Sequence, residues 1–253
     1  MSRPAQPEGV NKDGLNLILG TWNLELGTRA NRVSEMSCLK VKICGITRLQ
    51  DALDACEMGA DILGFNFVPA SPRYLNPYTA REIISRLPPF VTRVGVFADE
   101  ELSVLNDMTT FLNLDAVQLH GSEDAQYCRM VKGSVVKAIR VSLPSDLEGL
   151  DGLDVSAYLL DARVEGFLGG SGQTFPWQLA KGFCRSQRVF VAGGLTPENV
   201  GDAVRTLTPY GVDAASGVET EPGIKDPVLM ERFIRTARCA GIGNGGGCSE
   251  AVC

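Results

Sequence analysis

The stretch LKVKICGITRLQDALDACEMGADILGFNF, residues 39–67, reads as strand, helix, strand. LKVKI (39–43) and DILGFNF (61–67) are short, near-continuous apolar runs, as required of strands buried on both faces of a parallel sheet. Between them Leu49, Ala52, Leu53 and Cys56 fall on one helical face, and Gly59 closes the helix.

Outward from this unit the pattern repeats. VTRVGVF (91–97), DAVQL (115–119), VVKAIRV (135–141), AYLLD (157–161), RVFVAG (188–193) and VDAAS (212–216) bring the apolar runs to eight. NPYTAREIISRL offers Asn76 as a helix cap with Pro77 at the first helical position, and TPENVGDAVRTL repeats the device with Thr196 and Pro197. Eight strand–helix alternations predict an α/β fold: a single (β/α)8 TIM barrel, the catalytic domain, over residues 38–240. The helical pattern is weakest after strands five and six. Residues 1–37 mix Pro, Gly, Asn and Arg without periodicity and read as a flexible extension, with Met36 as a candidate translation start. The end of the chain predicts a short, flexible Gly/Cys-containing tail over 241–253.

A formal charge of -6 without a basic block argues against a nucleic-acid partner. No apolar run is long enough to span a membrane and no secretory signal opens the chain, so the expected location is the cytoplasm. The 8 cysteines form no CxxC pair, and His120 is the single histidine; reduced thiols and no metal site are expected.

In such barrels chemistry sits in the loops that follow the carboxyl ends of the strands. Those positions hold Cys44, Asn66, Asp99, His120, Arg140, Asp161, Gly193, Gly194, Ser216 and Gly217, and Cys44 and Asp161 are expected to face each other across the mouth. GGSG (169–172, with Gly170, Ser171 and Gly172), AGG (192–194) and ASG (215–217) follow the last three strands, where glycines let backbone N–H groups approach a phosphate. Asp161 reads either as a loop carboxylate partnering Arg163, or as a proton donor partly desolvated by the glycine loop and Phe175. Cys44 reads either as a small buried hydrophobe, like Cys56, Cys128 and Cys184, or as a thiol whose pKa nearby positive charge lowers.

The blocks VKICGIT, GFNFVPASPRYLNP, RVGVF, DAVQLHG, LLDA, GGSGQTFPW, AGGLTPENV and DAASGVETEPGIKD, in this order over residues 39–238, resemble those of the phosphoribosylanthranilate isomerase family. The resemblance implies an aldose–ketose isomerase of tryptophan biosynthesis that turns N-(5-phosphoribosyl)anthranilate into 1-(2-carboxyphenylamino)-1-deoxyribulose 5-phosphate by an Amadori rearrangement. It implies Cys44 as general base, Asp161 as general acid and Arg73 as the group that pairs with the anthranilate carboxylate. It implies a small phosphosugar as the partner and no cofactor, since the protonated imine is itself the electron sink. His120 reads equally as a substrate neighbour and as a structural residue. Association with other enzymes of the pathway is left open. The chain departs from the family's usual pattern at Gln173 (commonly lysine), Pro176 (commonly aspartate) and Ala215 (often serine), which removes a positive charge and a hydroxyl near the phosphate loops. Two other readings compete. The histidine-pathway isomerase performs the same rearrangement but uses an aspartate where this chain has Cys44, and a non-catalytic phosphate binder has no need of both proton-transfer groups.

Overall fold

In the computed structural model, which describes residues 38–161 and 177–243, each of the eight apolar runs forms a strand. These are β1 (Lys40–Cys44), β2 (Ile62–Asn66), β3 (Thr92–Phe97), β4 (Ala116–Leu119), β5 (Ser134–Arg140), β6 (Ala157–Asp161), β7 (Val189–Ala192) and β8 (Gly211–Ala214). Neighbours pair in parallel and β8 returns to β1, so the sheet closes in chain order. Closure leaves no strand edge unpaired. Residues 1–37 with Met36, residues 162–176 and residues beyond 243 lie outside the described residues.

Because side chains alternate along a strand, each run feeds two cores. Val41, Ile43, Leu63, Phe65, Val117, Leu160, Val191 and Val212 point outward and pack under the helices. Ile62, Val94, Ala116, Ala138, Ala157, Leu159, Phe190 and Ala192 point inward and fill the barrel. Gly211 makes room for this filling: a methyl there would lie 2.4 Å from the Phe190 ring.

The helices are α1 (Leu49–Glu57), α2 (Pro77–Ile84), α3 (Leu102–Leu112), α4 (Ala125–Met130), α5 (Lys181–Ser186), α6 (Val200–Leu207) and α7 (Pro227–Gly243). Asn76 caps α2 by accepting from the Tyr78 N–H, with Pro77 at the first position, as expected. Gly59 follows α1 at φ +91, a conformation that favours glycine. Three details differ from the sequence reading. Between β5 and β6 the chain makes two 3-10 turns, Pro144–Leu147 and Leu150–Gly152, instead of an α-helix. Pro144, Gly149 at φ +72 and Gly152 interrupt any longer helix, and the Tyr158 hydroxyl donates to the Leu150 carbonyl to hold the segment down. Thr196 and Pro197 do not open α6: the Asn199 side chain accepts from the Thr196 N–H, making a separate turn before Val200. Of the predicted α1 stripe, Ala52 is buried and Leu49 and Cys56 pack against the core, but Asp51 and Ala55 are buried as well, Asp51 accepting from the Lys225 N–H.

The loop after β8 carries an unforeseen two-stranded ribbon, β9 (Glu219–Glu221) and β10 (Ile224–Lys225). Arg238 of α7 donates to the carbonyls of Leu39 and Gly59 and to the Asp61 carboxylate, tying the last helix to the start of the first two strands. Cys38, Cys44, Cys56, Cys128 and Cys184 are free thiols, whereas Cys239 is disulfide-bonded, against the expectation of thiols throughout. No described helix is long and apolar enough to cross a membrane.

Phe233 of α7 is fully buried in the outer core. Replacing it by alanine is expected to cost about 3–5 kcal/mol, read as a lowered urea midpoint at unchanged m-value.

Candidate active site

Cys44 is the last residue of β1 and shares its inward face with Lys42, two residues earlier. Both are buried, Lys42 at 3% exposure and Cys44 at 8%. The Lys42 ammonium lies 3.0 Å from Oδ1 of Asp213, the inward residue of β8, itself buried. A methyl on Gly64 of β2 would sit 2.7 Å from the Cys44 Sγ and 3.1 Å from the Lys42 Nζ, so thiol and ammonium converge on the bare face of this glycine. Burial pushes the Cys44 thiol up; Lys42 and Lys225 pull it back and Asp213 opposes them, leaving it above the ordinary value. Burial alone would drive Lys42 toward neutrality, but Asp213 and Cys44 outweigh it and its pKa stands above the ordinary lysine value. A buried cysteine that merely packed would not need charges beneath it.

The chain turns at Gly45, φ +76, where an added methyl would meet the Arg73 Cδ at 2.5 Å, so Arg73 lies directly over the residue after the thiol. Arg73 is carried by the β2–α2 loop. That loop is folded by local bonds: Val68 N–H to the Asn66 side chain, Arg73 N–H to the Ser71 hydroxyl and Leu75 N–H to the Asn66 carbonyl. The Nε and Nη2 side of the guanidinium pairs with Glu219, which also accepts from Lys225 Nζ at 2.8 Å. Lys225 donates in turn to the carbonyls of Cys44 and Ala215. Burial works to raise the Glu219 carboxyl, but Arg73 and Lys225 more than offset it and hold it below the usual range. Ala215 therefore serves through its backbone, which the loss of a serine hydroxyl leaves in place.

Asp161 ends β6 on the inward face, at the same rim as Cys44 and separated from it by β7 and β8. His120 follows β4, and its Nε2 stands 3.4 Å from the Asp161 Oδ2. Arg140, exposed at the end of β5, is in register with Asp161. Asp99 is not free at the rim: its carboxylate takes the Ser122 N–H and hydroxyl, which lower its pKa and pin the loop after β3 to that after β4. Gly193 and Gly194 both have positive φ, and Gly217 packs against the backbone of Leu195 and Thr196, leaving no room there for a side chain. Ser216 opens the short turn Ser216–Val218. Gly170, Ser171, Gly172, Gln173, Phe175 and Pro176 lie outside the described residues. Among the described residues no group of three or more His, Cys, Asp or Glu could hold a metal.

The structure thus gathers Cys44, Arg73, His120, Asp161 and the Gly193–Gly194 and Ser216–Gly217 turns around one end of the barrel. Sequence reasoning missed Lys42, Asp213, Gln118, Glu219 and Lys225, all at the same end. Strand parity was the available signal: Lys42 and Gln118 each precede a recognised rim residue by two positions.

A family model described as N-(5'phosphoribosyl)anthranilate (PRA) isomerase matches residues 41–236. The N-(5'-phosphoribosyl)anthranilate isomerase of Pelobacter propionicus is 50% identical over 200 residues, covering 79% of this chain and 96% of that protein. Its counterpart in Geobacter sp. (strain M21) is 50% identical over 199 residues, with 79% and 98% covered. The crystal structure of phosphoribosyl anthranilate isomerase from Thermotoga maritima superposes with a TM-score of 0.75 at 44% identity, covering 79% of this chain and 99% of that one. A phosphoribosyl anthranilate isomerase crystallised with reduced 1-(o-carboxyphenylamino)-1-deoxyribulose 5-phosphate superposes with a TM-score of 0.72 at 42% identity, over 79% and 99% of the two chains.

Gly64→Ala is expected to force the sulfur and the ammonium apart, since the methyl would stand 2.7 Å from Sγ. Turnover should fall by about 10²-fold from a displacement on the order of 1 Å, with KM changed far less, in steady-state kinetics.

Proposed function

The chain belongs to the N-(5′-phosphoribosyl)anthranilate isomerase family, and from that premise we propose that Cys44 is the base and Asp161 the acid of its isomerisation. It is an enzyme of tryptophan biosynthesis, converting N-(5-phosphoribosyl)anthranilate into 1-(2-carboxyphenylamino)-1-deoxyribulose 5-phosphate. The catalytic unit is the barrel of residues 38–240. It acts on a small phosphosugar in the cytoplasm, without a nucleic-acid or membrane partner and without a cofactor.

Asp161 gives its proton to the furanose ring oxygen as the C1′–O bond breaks and the nitrogen lone pair forms the C1′=N iminium. The Cys44 thiolate then takes the proton from C2′, and the released electron pair flows into the iminium to give the enolamine. Protonation at C1′ and loss of the 2′-hydroxyl proton yield the ketone. Every electron pair stays within the substrate. The observation that carries this reading is the Lys42–Asp213 pair set beneath the Cys44 sulfur, where the Lys42 ammonium offsets part of the cost of ionising a buried thiol.

With its Nε–Nη2 side on Glu219, Arg73 presents the outer end of its fork to the anthranilate carboxylate. His120 lines the site beside Asp161. Backbone N–H groups of Gly193, Gly194, Ser216 and Gly217, together with Gly170, Ser171 and Gly172, grip the phosphate.

Cys44→Ala and Asp161→Asn are each expected to lower kcat by about 10²–10⁴-fold, with an unchanged circular dichroism spectrum. Near-normal turnover in either variant, followed through the fluorescence of the anthranilate substrate, would remove that residue from the mechanism. The base must be ionised to act, so activity rises with pH through the thiol's pKa. Lys42 supplies the largest downward pull on that pKa. Lys42→Met should therefore move the ascending limb of kcat/KM to higher pH and depress activity most at neutral pH; an unmoved limb would dissociate Lys42 from the thiol.

A further inference from the structure

Gln118 lies on the inward face of β4, two residues before His120, at 2% exposure. Its amide Nε2 stands 3.3 Å from Nδ1 of His120, whose other ring nitrogen stands 3.4 Å from Oδ2 of Asp161. The amide carbonyl Oε1 is buried without a hydrogen-bond partner. An unbonded buried acceptor costs about 1–3 kcal/mol, and a methionine of similar length would fill the space without that cost. The amide thus keeps an orientation that serves the imidazole and leaves its own carbonyl unsatisfied.

A neutral imidazole carries one hydrogen on its two nitrogens. With Nδ1 accepting from Gln118, that hydrogen is on Nε2 and is aimed at Asp161. We propose that Gln118 is a positioning residue that fixes the Nε2–H tautomer of His120, so that His120 donates to the carboxylate Asp161 becomes on giving up its proton. This rests on the assignment of Asp161 as the acid. The bond strengthens as charge develops on the carboxylate, which makes it a transition-state interaction and places its effect in kcat.

The chain has 1 histidine, so the ¹⁵N imidazole spectrum reports on His120 without assignment. The wild-type protein, read with its imidazole neutral, should show a protonated Nε2 and a bare Nδ1. Gln118→Met should give a mixture of tautomers and a kcat lower by roughly tenfold, with KM within about twofold. Its thermal midpoint should be unchanged or higher, because the orphaned carbonyl is gone. A wild-type spectrum with the hydrogen on Nδ1, or a folded variant with unaltered tautomer and kcat, overturns the proposal. The wild-type spectrum decides the tautomer even where the variant does not fold. Asp161→Asn separates the two assignments: near-normal turnover there removes the acid, while the spectra still report what Gln118 does to the ring.

Discussion

Lys42 and Asp213 are opposite charges buried against each other inside a barrel whose apolar filling is Ile62, Val94, Leu159, Phe190 and four alanines. Desolvating two charges costs several kcal/mol per ion, and their attraction repays this only with good geometry, so such a pair is poor evidence for stability alone. Its placement explains it better. The ammonium meets the sulfur of Cys44 over Gly64, where a low dielectric makes its influence on the thiol stronger than it would be in water. The barrel bottom is packed like any core, and the charges begin only where the site begins.

A second set of groups is strung outward from the same strand end. Lys225 donates to the Cys44 carbonyl, Glu219 joins Lys225 to Arg73, and Arg73 lies over Gly45. Three cationic side chains therefore surround one thiol, at increasing exposure from Lys42 and Lys225 to Arg73. Asp213 offsets Lys42, and Glu219 is shared by Lys225 and Arg73, so the set acts locally on the thiol. The ribbon of β9 and β10 is what delivers Glu219 and Lys225 there, which gives the loop after β8 a role beyond the proposed phosphate grip.

The departures from the family pattern bear unequally on this arrangement. Ala215 contributes its carbonyl to Lys225, a bond indifferent to the side chain. Gln173 and Pro176 belong to the loop after β6, away from the thiol and its cations in sequence. The groups that carry proton transfer in the proposed mechanism, Cys44 and Asp161, stand at the ends of β1 and β6, where strand geometry orients them.

Much of the fold was legible because hydrophobic runs are local. All eight strands fall within a residue or two of their apolar runs, β6 on AYLLD itself, and their order around the barrel follows from the parallel, chain-order closure typical of the alternation. The helix expected after β5 failed because alternation was extended across Pro144, Gly149 and Gly152, whose backbone preferences won. The stripe of α1 was read correctly at Leu49, Ala52 and Cys56, but the buried Asp51 beside it was missed because its partner lies 174 residues away. Cys44, Asp161, Arg73 and His120 could be singled out by their places at strand ends and in recognisable blocks. Lys42 and Gln118 were open to a strand-parity argument, whereas Asp213, Glu219 and Lys225 could not be found that way. By itself the amino-acid sequence determined the strands, the class of fold and the rim positions, since periodicity and turn chemistry act over a few residues. Only the tertiary structure decided which charge meets which: closing β8 onto β1 sets Asp213 against Lys42, 171 residues apart, and no local preference encodes that distance.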